Sequence, residues 1–267
     1  MRRIPTQIAR RGAALRRQRR QRVSLAANLS PLPADPTKSS YPDSAPIDFD
    51  SSSAVSGGEA QVLEVSLRPG QRLRAEAGSM LYMSAGVAME TTLGSDGITG
   101  GIGRALTGQS AFLTDYAYTG PPGTVGTVGL GAAFPSKIVR LDLDRHGGRL
   151  VCQKGAYLAS SGTDVAVRPE PAPTLGAGFF GGEGFVLQRL EGTGQVFVCA
   201  GGTLVRRELG EGETLRISSG CLVAFTAGID YDVATVPGFR NVMFGGEGLF
   251  VTTLTGRVGG GGGPRNY

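Results

Sequence analysis

Two stretches far apart in the chain repeat one pattern. Residues 67–83 read LRPGQRLRAEAGSMLYM, and residues 209–225 read LGEGETLRISSGCLVAF. They align without gaps and match Leu67 with Leu209, Gly70 with Gly212, Leu73 with Leu215, Arg74 with Arg216, and Gly78 with Gly220. A third copy, RLVCQKGAYLASSGTDVAV from Arg149, places Gly155 at the position of Gly220. Short apolar–polar alternation around glycine predicts strands joined by turns.

A second phrase recurs in step with the first. FFGGEGFVL begins at Phe179, MFGGEGLFV begins at Met243, and a looser version, TGQSAFLTDYAYTGPPGTV, begins at Thr107. Its glycines, Gly108, Gly182 and Gly246, follow nearly the same spacing as those of the first phrase. Two phrases in the same order three times predict three structural units within one domain, in which the glycines form turns or bulges.

Composition favours the same fold class. The 267 residues include 44 Gly and 15 Pro, and only 18% are charged. Period-two alternation predicts half-buried antiparallel strands at residues 62–67, 138–143, 183–190 and 195–200. Residues 100–108 could hold at most one helical turn, and no run of about 18 apolar residues predicts a membrane-spanning helix. The sequence therefore predicts an all-β body.

The two ends differ from this body. Residues 1–34 contain nine arginines and no acidic residue, which is typical of an organellar transit peptide; a disordered basic arm is the alternative. Residues 35–58 are rich in Pro, Ser and Asp and predict a disordered linker, so the β domain is expected to span 59–256. Residues 257–267 predict a Gly-rich flexible tail in place of a closing strand, or an error of the gene model.

Charge and cysteines exclude some classes of protein. Of the 27 Lys and Arg residues, nine lie in residues 1–34. The remaining 18 basic residues and the 22 acidic residues give the rest of the chain, the body, a net charge of −4. An acidic body does not favour nucleic acid as a partner. Cys152, Cys199 and Cys221 form no pair at metal-ligand spacing, so we expect three buried thiols and no disulfide framework.

Three motifs have a chemical interpretation to weigh. GRALTGQS, residues 103–110, resembles a phosphate-binding loop but has Gln109 where the lysine belongs. His146 is the one histidine and is expected on a solvated turn. Glu183 and Glu247 of the repeated phrase could act as an acid–base pair or bind a cation, yet we favour a structural role at turns. We therefore predict no catalytic, cofactor-binding or metal-binding residues.

The repeated phrases also resemble a known family. LRPGQRLRAEAGSMLYMSAGVAMET, TGQSAFLTDY, GAYLASSGTDVAV, FFGGEGFVLQRLEGTGQVFV and FGGEGLFVTTLTG, in this order, are similar to the altered-inheritance-of-mitochondria protein twenty-four family, the mitochondrial biogenesis family with a TRAP-like domain. The resemblance covers residues 61–256. It implies a TRAP-like double-stranded β-helix or sandwich, oligomeric assembly, and a mitochondrial location at the inner membrane.

The resemblance carries over no catalytic residue and no cofactor. It implies a non-enzymatic organelle protein that supports inner-membrane organisation through a homo-oligomer, protein partners and peripheral membrane contact. The alternatives are an RNA-binding or a small-molecule-binding β module. For the location, the Arg-rich leader favours the mitochondrion, with the plastid as alternative.

Overall fold

The structure, a computed structural model, describes residues 45–92, 113–162, 164–170, 186–235, 250–257 and 265–266. Among them one helix occurs, α1 (Phe49–Ser52), with two single 3-10 turns at Asp144–His146 and Ser219–Cys221. All other regular structure is antiparallel strand apart from one parallel bridge between Ala45 and Gln71. The prediction of an all-β fold is confirmed.

The domain begins earlier than the sequence predicts. Strand β1 (Ser53–Ser56) follows α1 and pairs with β2 (Val62–Leu67). Asp48 caps the helix, because its side chain accepts a hydrogen bond from the backbone of Asp50 at 3.0 Å. Ile47 and Phe49 are buried in the core. The prediction of a disordered linker over 35–58 is therefore wrong from Ala45 onward, since two apolar anchors outweigh a polar average composition.

Six described strands of residues 62–131 form the first unit. They are β2 with β3 (Arg72–Glu76), β4 (Met80–Met83), β5 (Val87–Thr92), β6 (Leu113–Tyr118) and β7 (Gly126–Gly131). Strand β7 pairs with β2 and β4, and β6 pairs with β3 and β5. The unit thus consists of two groups of three strands.

Six described strands of residues 136–201 form the second unit with the same pairings. They are β8 (Ser136–Asp142), β9 (Arg149–Gln153), β10 (Tyr157–Ser160), β11 (Ala166–Glu170), β12 (Leu187–Glu191) and β13 (Gln195–Gly201). Strand β13 pairs with β8 and β10, and β12 pairs with β9 and β11.

The described strands of residues 207–266 form the third unit and pair in the same way. They are β14 (Arg207–Glu208), β15 (Thr214–Ser218), β16 (Ala224–Thr226), β17 (Ile229–Thr235), β18 (Phe250–Gly256) and β19 (Arg265–Asn266). Strand β19 pairs with β14 and β16, and β18 pairs with β15 and β17. Strand β19 lies within the segment that the sequence predicts to be a flexible tail, because the residues after the glycine run can still join a ladder.

The glycines of the first repeated phrase occupy one turn in every unit. Gly78, Gly155 and Gly220 each lie between the second and third strands of their unit, and we call them the turn glycines. Gly78 and Gly155 have φ angles of 85° and 79°, in the left-handed region that favours glycine. Gly220 lies instead within the 3-10 turn Ser219–Cys221. The glycines of the second phrase lie outside the described residues.

Neighbouring units share their sheets. Sheet 1 has the order β1-β2-β7-β4, sheet 2 the order β5-β6-β3-β10-β13-β8, sheet 3 the order β11-β12-β9-β16-β19-β14, and sheet 4 the order β15-β18-β17. Sheets 2 and 3 therefore each combine three strands of one unit with three of the next. They are joined where β10 pairs with β3 and where β16 pairs with β9.

Within the part of the chain that the structure describes, the core consists of three clusters of buried apolar side chains, and β13 contributes to two of them. Phe197 belongs to a cluster with Leu63 and Tyr116 of the first unit, whereas Val196 and Val198 belong to the next cluster. Because successive side chains of a strand point to opposite faces, this central strand is covered on both sides. The units therefore pack into one body and are not separate domains.

No helix within the described residues is long and apolar enough to cross a membrane.

Candidate functional site

Among the described residues, the most deeply buried charges lie in the first unit. Arg74 Nε and Nη2 donate to the two carboxylate oxygens of Asp115 at 2.7 and 2.8 Å, a two-point contact between facing residues of β3 and β6. The side chains are 5% and 0% exposed. A second cation, Arg72, has its Nη1 3.8 Å from Asp115 Oδ2. Asp115 thus neutralises the arginine charge in a site that water does not reach.

This ion pair is tied to the second unit. Tyr157 of β10 donates its hydroxyl to the backbone carbonyl of Arg74 at 3.3 Å and lies 3.0 Å from the Ser160 hydroxyl. Burial alone would lower the pKa of Arg74, but the hydrogen bonds and charge of Asp115 outweigh burial and the pKa is raised. Burial raises the pKa of Tyr157, so its hydroxyl stays protonated. The cluster stabilises the junction between units and is closed to substrates.

A second ion-pair network links the second and third units. Glu170 Oε1 accepts from Arg149 Nη2 at 2.7 Å and from the hydroxyl of Tyr231 at 3.0 Å. Arg189 Nε lies 3.5 Å from Glu170 Oε2 and 3.2 Å from Glu191 Oε1. Burial, together with the charge of Glu170, raises the pKa of Tyr231. Since each carboxylate is matched by an arginine, this network also joins strands.

The residues with a predicted chemical alternative are not brought together in the described part of the chain. His146 lies on the 3-10 turn between β8 and β9, half-buried. Glu183, Glu247 and the GRALTGQS loop with Gln109 fall outside the described residues. Within the described ranges, no three His, Cys, Asp or Glu side chains are grouped as metal ligands would be.

The cysteines differ from the expectation. Cys152 and Cys199 are buried and free, and burial raises the pKa of each thiol to about 12. Cys221 is free but exposed, so the prediction of three buried thiols is wrong for this residue. It lies on a 3-10 turn, where the backbone turns the thiol toward a cavity instead of the core.

That cavity, of about 430 Å³, is lined by the connection between β13 and β14 and by β15. Its surface is mainly aliphatic, with Cys221 and one charged side chain, Arg207, among the described residues that line it; the aliphatic side chains are Leu204, Val205, Leu215, Ile217 and Val223. A second cavity of about 260 Å³ adjoins it and shares Gly201, Thr203, Cys221 and Val223. The volume of the first cavity, about 430 Å³, is within the range of small-molecule sites.

Two strand edges next to apolar surface have no partner strand among the described residues. Strand β4 pairs only with β7, and β15 pairs only with β18. On β4, Leu81 and Tyr82 are 54% and 45% exposed. The Tyr82 ring lies over Gly129, where a Cβ would come within 2.3 Å of it, and its hydroxyl donates to Glu64 at 2.6 Å. Unpaired strand backbone beside exposed apolar side chains is a feature that proteins commonly use for association.

Sequence reasoning missed this surface. It identified Leu215 and Gly78 as landmarks of the repeat, but it assigned no role to the edges of β4 and β15. No pattern in the sequence indicated it, because the pairing that leaves one strand of each kind without a neighbour at the ends of the series is visible only in the structure.

The comparisons with known proteins agree with the fold. The sequence profile of the family described as mitochondrial biogenesis AIM24 matches residues 53–258. An uncharacterized protein of Streptococcus pyogenes serotype M6 is 30% identical over 198 residues, which cover 72% of this chain and 76% of the relative. A crystal structure of another Streptococcus pyogenes protein superposes with a TM-score of 0.62 at 25% identity, covering 80% of this chain and 90% of that one.

The family match starts at the first residue of β1, which supports the earlier domain start, and it ends just after the last residue of β18. It therefore spans the three units whose geometry is described above, apart from the last short strand. The chain belongs to the mitochondrial biogenesis AIM24 family.

Proposed function

We propose that the chain is a non-enzymatic mitochondrial protein that supports inner-membrane organisation and biogenesis by assembling into oligomers that contact other proteins or the membrane surface. The observation that carries the proposal is that, among the described residues, β4 has an unpaired edge with exposed Leu81 and Tyr82, and β15 has an unpaired edge beside an apolar cavity. Edges of this kind are ordinarily blunted or covered, and a subunit contact covers them. The described ion pairs, by contrast, join strands within the body.

The family description supports a role in mitochondrial biogenesis, and the Arg-rich residues 1–34 support a mitochondrial location. Because a bacterial protein shares the folded body, we assign the body the assembling role and residues 1–34 the targeting role. A fusion of residues 1–58 to a fluorescent protein is expected to enter mitochondria. Plastid import, or a cytosolic signal, would contradict this part of the proposal.

Light scattering coupled to size-exclusion chromatography of the full chain tests assembly. A mass that is a multiple of 27.6 kDa at micromolar concentration is expected. A monomer across the accessible concentration range would refute the assembling role. Peripheral membrane contact is tested by flotation with vesicles that mimic the inner membrane, and the bound protein should be released by alkaline carbonate.

A small-molecule-binding module is the second candidate, and the apolar cavity is the observation that favours it. Arg207 at its lining would pair with an anionic head group of an apolar ligand. Displacement of a fluorescent fatty acid would support this function if Ile217→Asp abolishes binding and Val125→Asp, at an exposed residue just before β7, leaves it unchanged. RNA binding is not favoured, because the body carries a net charge of −4, from 18 basic and 22 acidic residues.

A further inference from the structure

We propose that the two adjoining cavities at the end of β13 form one binding site for a straight-chain dicarboxylate, with one carboxylate at Arg207 and the other at Lys154. The inference rests on the proposed small-molecule-binding function and names the class of ligand. It goes beyond that function because it assigns both cavities, and an anionic group at each end, to a single ligand.

The two cavities meet along a shared wall. Gly201 and Thr203, at and just after the end of β13, line both of them, and so do Cys221 and Val223. The first cavity measures about 430 Å³ and the second about 260 Å³. Since small-molecule sites span about 300–1,000 Å³, the second cavity is too small to be a site by itself and extends the first into a longer one.

The first cavity suits an aliphatic chain. Leu215 and Ile217 line it from β15, and Val223 lines it from the shared wall. Val205, on the connection between β13 and β14, also lines it and is 65% exposed, so a ligand there would cover apolar surface. Burial of each methylene group against such side chains raises affinity roughly fourfold.

Each end of the combined site carries one cation. Arg207 lines only the first cavity, and Lys154 lines only the second. No Asp or Glu is among the described residues that line either cavity. Neither cation forms an ion pair with another described residue. Two unneutralised positive side chains, in a body with 18 basic and 22 acidic residues, favour an anionic group at each end.

The second cavity has the polar groups that a second carboxylate needs. Gln153, Lys154 and Thr203 are among its lining residues, and their side chains carry an amide, an ammonium and a hydroxyl. A methyl end placed here would remove water from these groups without replacing its hydrogen bonds, whereas a carboxylate accepts hydrogen bonds from all three. Phe134, which is 52% exposed, lines the same cavity and offers apolar surface to the last methylene groups.

Calorimetric titration of the full chain with hexadecanedioate and with palmitate tests the ligand class. The two ligands have the same chain length and differ in the second carboxylate. We expect the dicarboxylate to bind about fivefold more tightly, the upper end of what a solvent-exposed ion pair contributes. Lys154→Gln should remove this preference and leave palmitate binding unchanged, whereas Arg207→Gln should weaken both ligands.

Arg216→Gln is the matched control for the change of charge. Arg216 is exposed and alternates along β15 with Leu215 and Ile217, so its side chain lies on the face away from the cavity. This variant should bind both ligands as the unmodified chain does. If it loses the preference for the dicarboxylate as Lys154→Gln does, binding follows net charge and the assigned site is wrong.

Protection of Cys221 locates the ligand. The thiol is free and exposed, and it lines the part shared by the two cavities, whereas Cys152 and Cys199 are buried. Bound dicarboxylate should slow the alkylation of Cys221 by N-ethylmaleimide in proportion to the fraction of protein that is occupied. Binding without this protection would place the ligand elsewhere and overturn the assignment.

The outcomes separate the inference from the function on which it rests. If palmitate and hexadecanedioate bind equally and Lys154→Gln changes neither, the ligand has one anionic end; the inference is then wrong, while the small-molecule function stands. If neither ligand binds, both are refuted. A preference for the dicarboxylate that disappears in Lys154→Gln, together with protection of Cys221, supports both.

Discussion

Replacing Asp115 by Asn would test whether the buried ion pair holds the first two units together. The change keeps the size of the side chain but removes the charge that faces Arg74 and Arg72. Two charge-assisted hydrogen bonds, at 2.7 and 2.8 Å, lose their ionic acceptor in a site where Asp115 is 0% exposed. Loss of one partner of a buried pair costs about 3–5 kcal/mol of unfolding free energy, because the other charge stays buried.

Asp230→Asn is the matched control. Asp230 also pairs with an arginine, Arg257, but these side chains are 55% and 58% exposed, and such exposed pairs contribute little to stability because solvent screens them. Urea unfolding followed by circular dichroism measures both losses. At roughly 2–4 °C per kcal/mol, Asp115→Asn should lower Tm by about 6–20 °C. If the two substitutions cost the same, the buried pair does not stabilise the junction and the reasoning is refuted.

Three further predictions concern burial. Phe49→Ala should cost about 3–5 kcal/mol of unfolding free energy, because Phe49 is fully buried, whereas Phe134→Ala, at an exposed site, should cost far less; equal losses in urea unfolding would contradict the early domain start. Since burial raises the pKa of Cys152 from 9.0 to about 12, its contribution to stability is complete below about pH 9 and is lost as pH rises toward 12. The loss of unfolding free energy between about pH 8 and pH 10.5 should therefore be smaller in Cys152→Ala than in the unmodified chain, while Cys199, whose pKa is raised in the same way, keeps its own contribution. Ellman's reagent should modify Cys221 rapidly in the unassembled folded chain and the two other thiols only after unfolding; three rapid thiols would contradict the described burial.

The strand content was predictable from the sequence because half-buried antiparallel strands alternate visibly. The predicted strand at 62–67 is β2 itself, and those at 138–143 and 195–200 overlap β8 and β13 to within two residues at each end. The predicted strand at 183–190 overlaps β12 from Leu187, and its first part lies outside the described residues. Alternation reports local backbone geometry, so it locates strands well.

The domain start and the candidate surface were not predictable by the same means. Ile47 and Phe49 lie in a polar segment whose average composition hides two anchors, and burial depends on contacts such as that between the rings of Phe49 and Phe197 at 4.8 Å. The exposure of Tyr82 and the partial exposure of Ile217 depend on which strands pair between distant units. Composition and period carry no information on which strand of a repeat is left without a neighbour.

Hydrogen exchange of the full chain at two protein concentrations tests the central claim most directly. If assembly covers the two edges, backbone amides of Met80–Met83 and Thr214–Ser218 should exchange more slowly at high concentration than in dilute, unassembled protein. Amides of β13, which has a partner strand on both sides within the chain, should exchange equally slowly in both samples. Exchange at β4 and β15 that does not depend on concentration, in a sample whose mass shows assembly, would contradict the account.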